Sequence, residues 1–312
     1  MRKLIYIFAE CLLIAIPGFL LAQDKVSKID LKHAESMNYN SRIDKDAKRW
    51  IGNVELVQDD ISMFCDSVYL YSNENNFKAF DNVRLIKSDS IEVFSDYLFH
   101  SGNIKRAQFR KNVTLKDKKV SLFTDSLDYD IISNRAYYFN GGKIVDSTAV
   151  LTSKSGYYYA NEKQLFFKDN VVVVNKDYKV YTDTLKYDLN TNTVSFQGPT
   201  TIISGDTATL YSERGWYNTK SGEALIWQNA RYSNSEQILY GDTIFYDQNK
   251  NFGEAFRNIK LYSLKDSIIV SSDYAFYDKV KNTTLLTKKA LVTQIHGGDS
   301  IFLQIGRASC RE

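Results

Sequence analysis

The sequence predicts an all-β protein: an elongated antiparallel sheet built from hairpin repeats and folded over along a line that crosses every strand. Three observations predict it. First, a small residue, an acid, an apolar residue two further on and an aromatic near four further on recur every 28 to 31 residues, as at Thr124-Asp125…Leu127…Tyr129 and Thr182-Asp183…Leu185…Tyr187. A fixed period of that size means stacked units. Second, the segments between the marks alternate with period two, are rich in β-branched and aromatic residues and end in polar turns, which makes them strands. Third, the alternation changes parity at the acid, with Ile91, Val93 and Ser95 before Asp96 but Leu98 after it. A flat strand cannot put both sets on one face, so each return strand is expected to bend or bulge at the small-acid pair.

The elements follow in order. Residues 1 to 22 read as a secretory signal, with Arg2 and Lys3 as the basic head, an apolar run from Leu4 to Leu21, and Leu20-Leu21-Ala22 before the expected cleavage. Glu10 and Pro17 interrupt that run and shorten it below a comfortable bilayer span. The repeat body is expected over residues 23 to 304. In one unit, Ala79-Phe80-Asp81-Asn82-Val83-Arg84-Leu85 opens, Lys87 to Ser90 turns, and Ile91 to Leu98 returns; Ser101-Gly102-Asn103 then leads to Asn112-Val113-Thr114-Leu115 of the next. The opening strand recurs as Gly52-Asn53-Val54, Asp169-Asn170-Val171, Asn229-Ala230 and Asn258-Ile259, in step with the acids. Two units depart from the rule, one through Ser155-Gly156-Tyr157 and one through Ser212-Glu213-Arg214-Gly215-Trp216, which follows Pro199. After Gln304 the grammar stops. Ile305 to Glu312 resembles a translated sequencing adaptor, because Asp299 calls for an acid at position 306 and Gly306 stands there.

The marker acids are Glu35, Asp66, Asp96, Asp125, Asp183, Asp242 and Asp273. Asp at a bulge accepts hydrogen bonds from backbone amides that a distorted ladder leaves unpaired, which makes these acids structural. Equivalent strands would stand roughly 9.5 Å apart, too far for neighbouring carboxylates to share a calcium ion. The tyrosines Tyr129, Tyr159, Tyr187, Tyr217, Tyr246 and Tyr277 are read in the same way, as a margin to the trough.

Composition narrows the function. Without the signal and the tail the body holds 36 basic and 35 acidic residues, so it lacks the basic footprint of a nucleic-acid binder. Cys65 is its only cysteine, and His33, His100 and His296 are far apart, which leaves no disulfide, no metal site and no cofactor to expect. Catalysis needs one singular constellation, whereas the acid here recurs in almost every unit; the protein is therefore expected not to be an enzyme. A carbohydrate-cleaving solenoid, a transmembrane barrel and a purely structural solenoid are the rival readings. The barrel is opposed by outer-face charges such as Glu92.

With the Gly-Asn-Val opening strand, the small-Asp-x-Leu-x-Tyr return and the signal in place, the body resembles the OstA-like family over residues 28 to 303. That resemblance implies an open β-jellyroll in the periplasm, which shields the lipid A acyl chains of lipopolysaccharide and stacks end to end with related domains by adding edge strands. It also implies a bridge toward the outer membrane or, alternatively, the N-terminal periplasmic part of an outer-membrane lipopolysaccharide translocon. The inward residues expected to line the lipid path on return strands are Ile91, Val93, Leu98, Val120, Leu122, Leu127, Val180, Leu185, Ile244, Ile268 and Val270. Their opening-strand counterparts are Val54, Leu56, Val83, Leu85, Val113, Leu115, Val171, Val173, Ile259 and Leu261.

Overall fold

The computed structural model describes residues 29–304 and 307–311, apart from 40–46, 59–60, 72, 88–90, 117–119, 131, 148, 206–207 and 297–298. The expected signal peptide, residues 1 to 22, lies outside the described residues, as do Ile305, Gly306 and Glu312. All regular structure among the described residues is β. The strands are β1 (Asp30–His33), β2 (Ser36–Asn38), β3 (Ala47–Gln58), β4 (Ile61–Tyr71), β5 (Asn76–Lys87), β6 (Ile91–Ser101), β7 (Arg106–Lys116) and β8 (Ser121–Asp130). Shorter pieces follow as β9 (Arg135–Tyr138), β10 (Gly142–Val145), β11 (Ala149–Ser153) and β12 (Ser155–Tyr159). Beyond them run β13 (Gln164–Asn175), β14 (Tyr178–Asp188), β15 (Thr193–Ser204), β16 (Ala208–Asn218), β17 (Glu223–Ser233), β18 (Gln237–Asp247), β19 (Phe252–Ser263) and β20 (Ile268–Asp278). The last are β21 (Thr283–Thr287), β22 (Leu291–His296), β23 (Asp299–Gln304) and β24 (Arg307–Arg311).

The chain divides into two compact units between Phe167 and Lys168, inside β13. In the first, β1 and β2 both lie against β3, and β3 to β8 pair in sequence, all antiparallel. β8 then runs beside β9 and β10, and β12 and β11 return along them, so these four pieces are one more hairpin interrupted at its middle. In the second unit β14 to β20 pair in sequence. β20 is flanked by β21 and β22, which pair in turn with β24 and β23. Arg307 to Arg311, which the sequence set apart from the repeat, thus lies in the place of a return strand.

Each long hairpin slips register once, at its middle. Phe80 faces Tyr97 and Val83 faces Ser95, so Asp81 and Asn82 on β5 stand against Asp96 alone on β6. The return strand is therefore displaced at the small-acid pair, as the parity change requires. The sharper distortion was not foreseen and lies in the opening strand, where both extra residues adopt left-handed backbone: Asp81 (φ 60°) with Asn82 (48°), Lys111 (62°) with Asn112 (50°), and Arg257 (59°) with Asn258 (51°). Asn tolerates that conformation better than most side chains, which is why it recurs there.

The acids meet this break through side-chain donors of the opening strand. Asn82 Nδ2 donates to Asp66 Oδ2 at 2.9 Å, Asn112 to Asp96 at 2.7 Å and Asn258 to Asp242 at 2.9 Å, each across a separation of 16 residues. Glu35 accepts from Asn53 at 2.6 Å, and Lys289 replaces the amide with an ammonium 2.9 Å from Asp273. The small residue before the acid has its own task. A bulge strands a carbonyl inside the crease, and the neighbouring hydroxyl satisfies it: Ser95 Oγ donates to the Tyr97 carbonyl at 3.0 Å, Thr124 to Ser126 at 3.2 Å and Ser272 to Tyr274 at 3.1 Å.

The hairpin tips stack by backbone bonds from one repeat to the next, with Gly102 N donating to the Asn75 carbonyl at 2.8 Å and Thr219 N to that of Asn192 at 2.9 Å. The tyrosines at the margin tie strand to tip, as Tyr129 Oη donates to Asn134 Oδ1 at 2.7 Å. Because Asn82 supplies both a tolerated backbone and an amide, Asn82→Ala is expected to lower the stability of the first unit by about 1–2 kcal/mol. Asn82→Gly, which keeps the backbone freedom, should cost less than the alanine change; urea unfolding of the two variants measures the difference.

Candidate functional site

The register slip turns both strands of a hairpin so that their apolar residues stay on one face. On return strand β6 the buried set passes from Val93 and Ser95 to Leu98, and on opening strand β5 from Phe77 and Ala79 to Val83. In the first unit one core joins residues from both sides of the crease, including Ala79 with Val83, Phe109 with Val113, and Cys65 with Val68. Residues beside the crease are the most deeply buried in this core, while burial further out varies, Leu56, Met63 and Phe77 being buried there as well. Val54 and Val68 are 0% exposed and Val83, Leu98 and Val113 are each 1% exposed, whereas Leu70, Leu85, Leu115 and Tyr129, further out on the same face, are only half-buried. A sealed floor with half-open walls is the burial profile of a trough.

The second unit carries cores of the same kind. Ile259, Val270, Ala275 and Leu286 form one core, with Leu239, Ile244 and Ile268 partly buried against it. Phe196, Ile226 and Ala230 form another, with Leu210 beside it. Its floor also holds a buried polar pair, Thr182 Oγ1 meeting Thr200 Oγ1 at 2.8 Å.

The residues expected to line the path fall into three groups. Val54, Leu56, Val83, Val93, Leu98, Val113, Val120, Leu127, Val171, Val173, Leu185, Ile259, Leu261 and Val270 are buried. Leu85, Leu115, Leu122, Val180, Ile244 and Ile268 are half-buried. Ile91 belongs to β6, but its side chain lies outside the described residues. The sequence reading missed the opening-strand wall before the break, carried by Phe77, Ala79, Phe109, Phe196, Ile226 and Ala255. Their signal was available as a four-residue step across the Asn pair. It also missed an acid, because Glu213 accepts from Asn229 Nδ2 at 2.6 Å across the same 16 residues. The other irregular unit places Lys154 where the acid belongs, and its carbonyl accepts from Gly141 N at 2.8 Å.

Glycines mark where large side chains enter the crease. A Cβ on Gly142 or Gly156 would come within 2.4 Å of the Tyr138 ring, and one on Gly215 within 2.3 Å of Phe196. Val113 and Leu127 hold the positions equivalent to Gly142 and Gly156 one hairpin earlier, so a ring here replaces two aliphatic side chains. The Tyr138 hydroxyl pairs with Ser153 Oγ at 2.6 Å, and burial pushes its pKa up to about 12.

Cys65, in the floor, is also raised to about 12, chiefly by burial. Among the described residues no group of three or more His, Cys, Asp or Glu is placed to hold a metal ion, and no helix is long and apolar enough to cross a membrane, which says nothing of a β-barrel.

An antiparallel wall of creased hairpins with a sealed apolar floor defines a repeat β-protein of the open jellyroll class. A model of the OstA-like protein family matches residues 26–183 and 183–254, and the chain belongs to that family. Among solved structures it is similar to LptH of Pseudomonas aeruginosa, described as the LptA homologous periplasmic component of the lipopolysaccharide transport device. That likeness has 16% identity over 44% of this chain and 82% of that one, with a TM-score of 0.22. No curated protein matches the chain.

The burial profile makes two predictions. Leu98→Ala, at the floor, is expected to destabilise the first unit by about 2–5 kcal/mol, whereas Leu115→Ala, nearer the rim, should cost less than about 2 kcal/mol in denaturant melts. The raised Cys65 pKa keeps the thiol neutral through the ordinary thiol range near pH 8.5 and its deprotonation opposes folding as pH climbs from there toward 12. Ellman's reagent should consequently leave Cys65 unmodified in the native protein at pH 8 and titrate it at once in denaturant.

Proposed function

We propose that this protein is a periplasmic lipid-binding component of lipopolysaccharide transport, which carries or bridges the glycolipid toward the outer membrane along its apolar trough. The observation that carries the reading is the continuous inner face: within each unit apolar residues run through successive hairpins on one side, sealed at the crease and half-buried at several outer positions. Membership of the OstA-like family supports the same direction.

The physical logic needs no directional chemistry. Burying an acyl chain contributes about 0.8 kcal/mol per methylene, so a few partly covered chains hold the ligand without fixing its position. Such a ligand can slide. The half-buried wall residues Leu85, Leu115, Leu122, Val180, Ile244 and Ile268 offer the accessible part of that surface, while the floor residues give the crease its shape. Lipid A acyl chains are the expected occupants. On β23, Ile301, Phe302 and Leu303 are 64%, 65% and 58% exposed, an apolar stretch suited to strand addition by another jellyroll domain.

A photo-crosslinking amino acid at Leu115 or Val180, on the half-buried wall, tests the proposal in cells with active transport. Capture of lipopolysaccharide at these positions, and not at an outer-face control such as Lys78, is the expected outcome. Equal capture at all three, or none at any, would count against the trough as the lipid path.

A further inference from the structure

The left-handed pairs stand out from the sheet as ribs, and the acid of each return strand lies in the valley between two of them. One valley in the second unit is a cavity of about 650 Å³, open to solvent and lined by Thr243, Phe256, Arg257, Asn258, Asp273 and Lys288. Its ribs are unusually cationic. The pair at Asp81 and Asn82 is acidic and amide-bearing and that at Gln228 and Asn229 is neutral, but here the left-handed positions hold Arg257, Lys288 and Lys289.

Three carboxylates stand nearby, Asp242, Asp273 and Glu254, and Glu254 accepts from Tyr274 Oη at 2.6 Å rather than from a cation. Lys289 Nζ pairs with Asp273 at 2.9 Å, whereas Arg257 approaches Asp242 only through Nε, at 3.9 Å. Lys288 Nζ lies over the Tyr274 ring at 5.4 Å, and among the described residues it has no carboxylate partner. Phe256 packs against the same Tyr274 ring, at 5.6 Å, and forms the apolar side of the cavity. Left-handed backbone at lysine costs roughly 1 kcal/mol or more per residue, so Lys288 and Lys289, both at φ 61°, hold their charges at the rim against a conformational cost.

We propose that this valley is an anion site for a phosphate group, with the Arg257 guanidinium and the Lys288 ammonium as the binding cations and the Phe256 ring as a shelf for the carbon skeleton of the ester. A tetrahedral dianion suits the guanidinium fork facing a mobile ammonium. The site lies on the opposite side of the sheet from the apolar floor, so it stands or falls independently of lipid binding in the trough.

The test uses the full chain in low-salt buffer. Calorimetric titration with inorganic phosphate probes a free phosphate, and flotation with phosphatidylglycerol vesicles, against phosphatidylcholine vesicles, probes a lipid headgroup. Binding in either arm is expected, and the arm that responds names the source of the phosphate. The double variant Arg257→Gln/Lys288→Gln should weaken it at least about tenfold, while Arg257→Lys/Lys288→Arg restores most of it. Both side chains are exposed, so circular dichroism should show unchanged folding. Absence of binding in both arms, or binding that the glutamine variant leaves intact, overturns the proposal.

Discussion

The structure depends on one constraint: at the middle of every long hairpin, two residues of the opening strand must fit against one residue of the return strand. In most hairpins both of these backbones turn left-handed, Gly198 doing so alone beside Pro199 in β15, and the ladder slips register at that point. Asn is the residue that satisfies this place twice, because it tolerates the backbone and because its amide reaches the acid of the preceding return strand. The acid answers one donor from its neighbour and so fixes each hairpin to the next. Where Asn stands in the break, as at Asn82, Asn112 and Asn258, the slip is tied to the acid of the return strand before it.

The inner face follows from those slips. Once both strands change parity together, apolar residues spaced by three on one strand and by four on the other meet on a common side. The floor is then crowded, which explains why the residue before the acid is small, and dry, which explains why it so often carries a hydroxyl for the carbonyl stranded beside it. Where a ring enters, as Tyr138 and Phe196 do, glycine replaces the aliphatic neighbours and the volume is conserved. Packing at the floor and openness toward the rim are thus two results of the same fold line.

Much of this was legible in the sequence, and the parts that were not have physical reasons. Parity at Val93, Ser95 and Leu98 disclosed a bend, since side-chain direction in a strand is a strict function of residue number. Opening strands disguised theirs, because a step of four from Ala79 to Val83 keeps the same parity as an unbroken strand. The acids and the asparagines were both visible as ladders, yet their pairing was not, because a contact across 16 residues has no local signature. Glu213 escaped for a related reason: its longer side chain replaces Asp at an irregular hairpin, and only Asn229 identifies its role. Most of the apolar residues named for the lipid path are inward-facing and buried; how far each is sealed depends on the neighbours packed over it, which hydrophobic pattern alone does not report.

The alignment of the repeats, and with it the proposed lipid path, rests on a recurring contact that can be measured directly. A double-mutant cycle between Asp96 and Asn112, each changed to alanine singly and together, isolates their coupling from the backbone effect of either change. The account predicts a favourable coupling of about 0.5–1.5 kcal/mol. A coupling of zero, with the two single losses simply adding, would show that the carboxylate does not hold the break and would contradict the claim that this pairing folds the sheet.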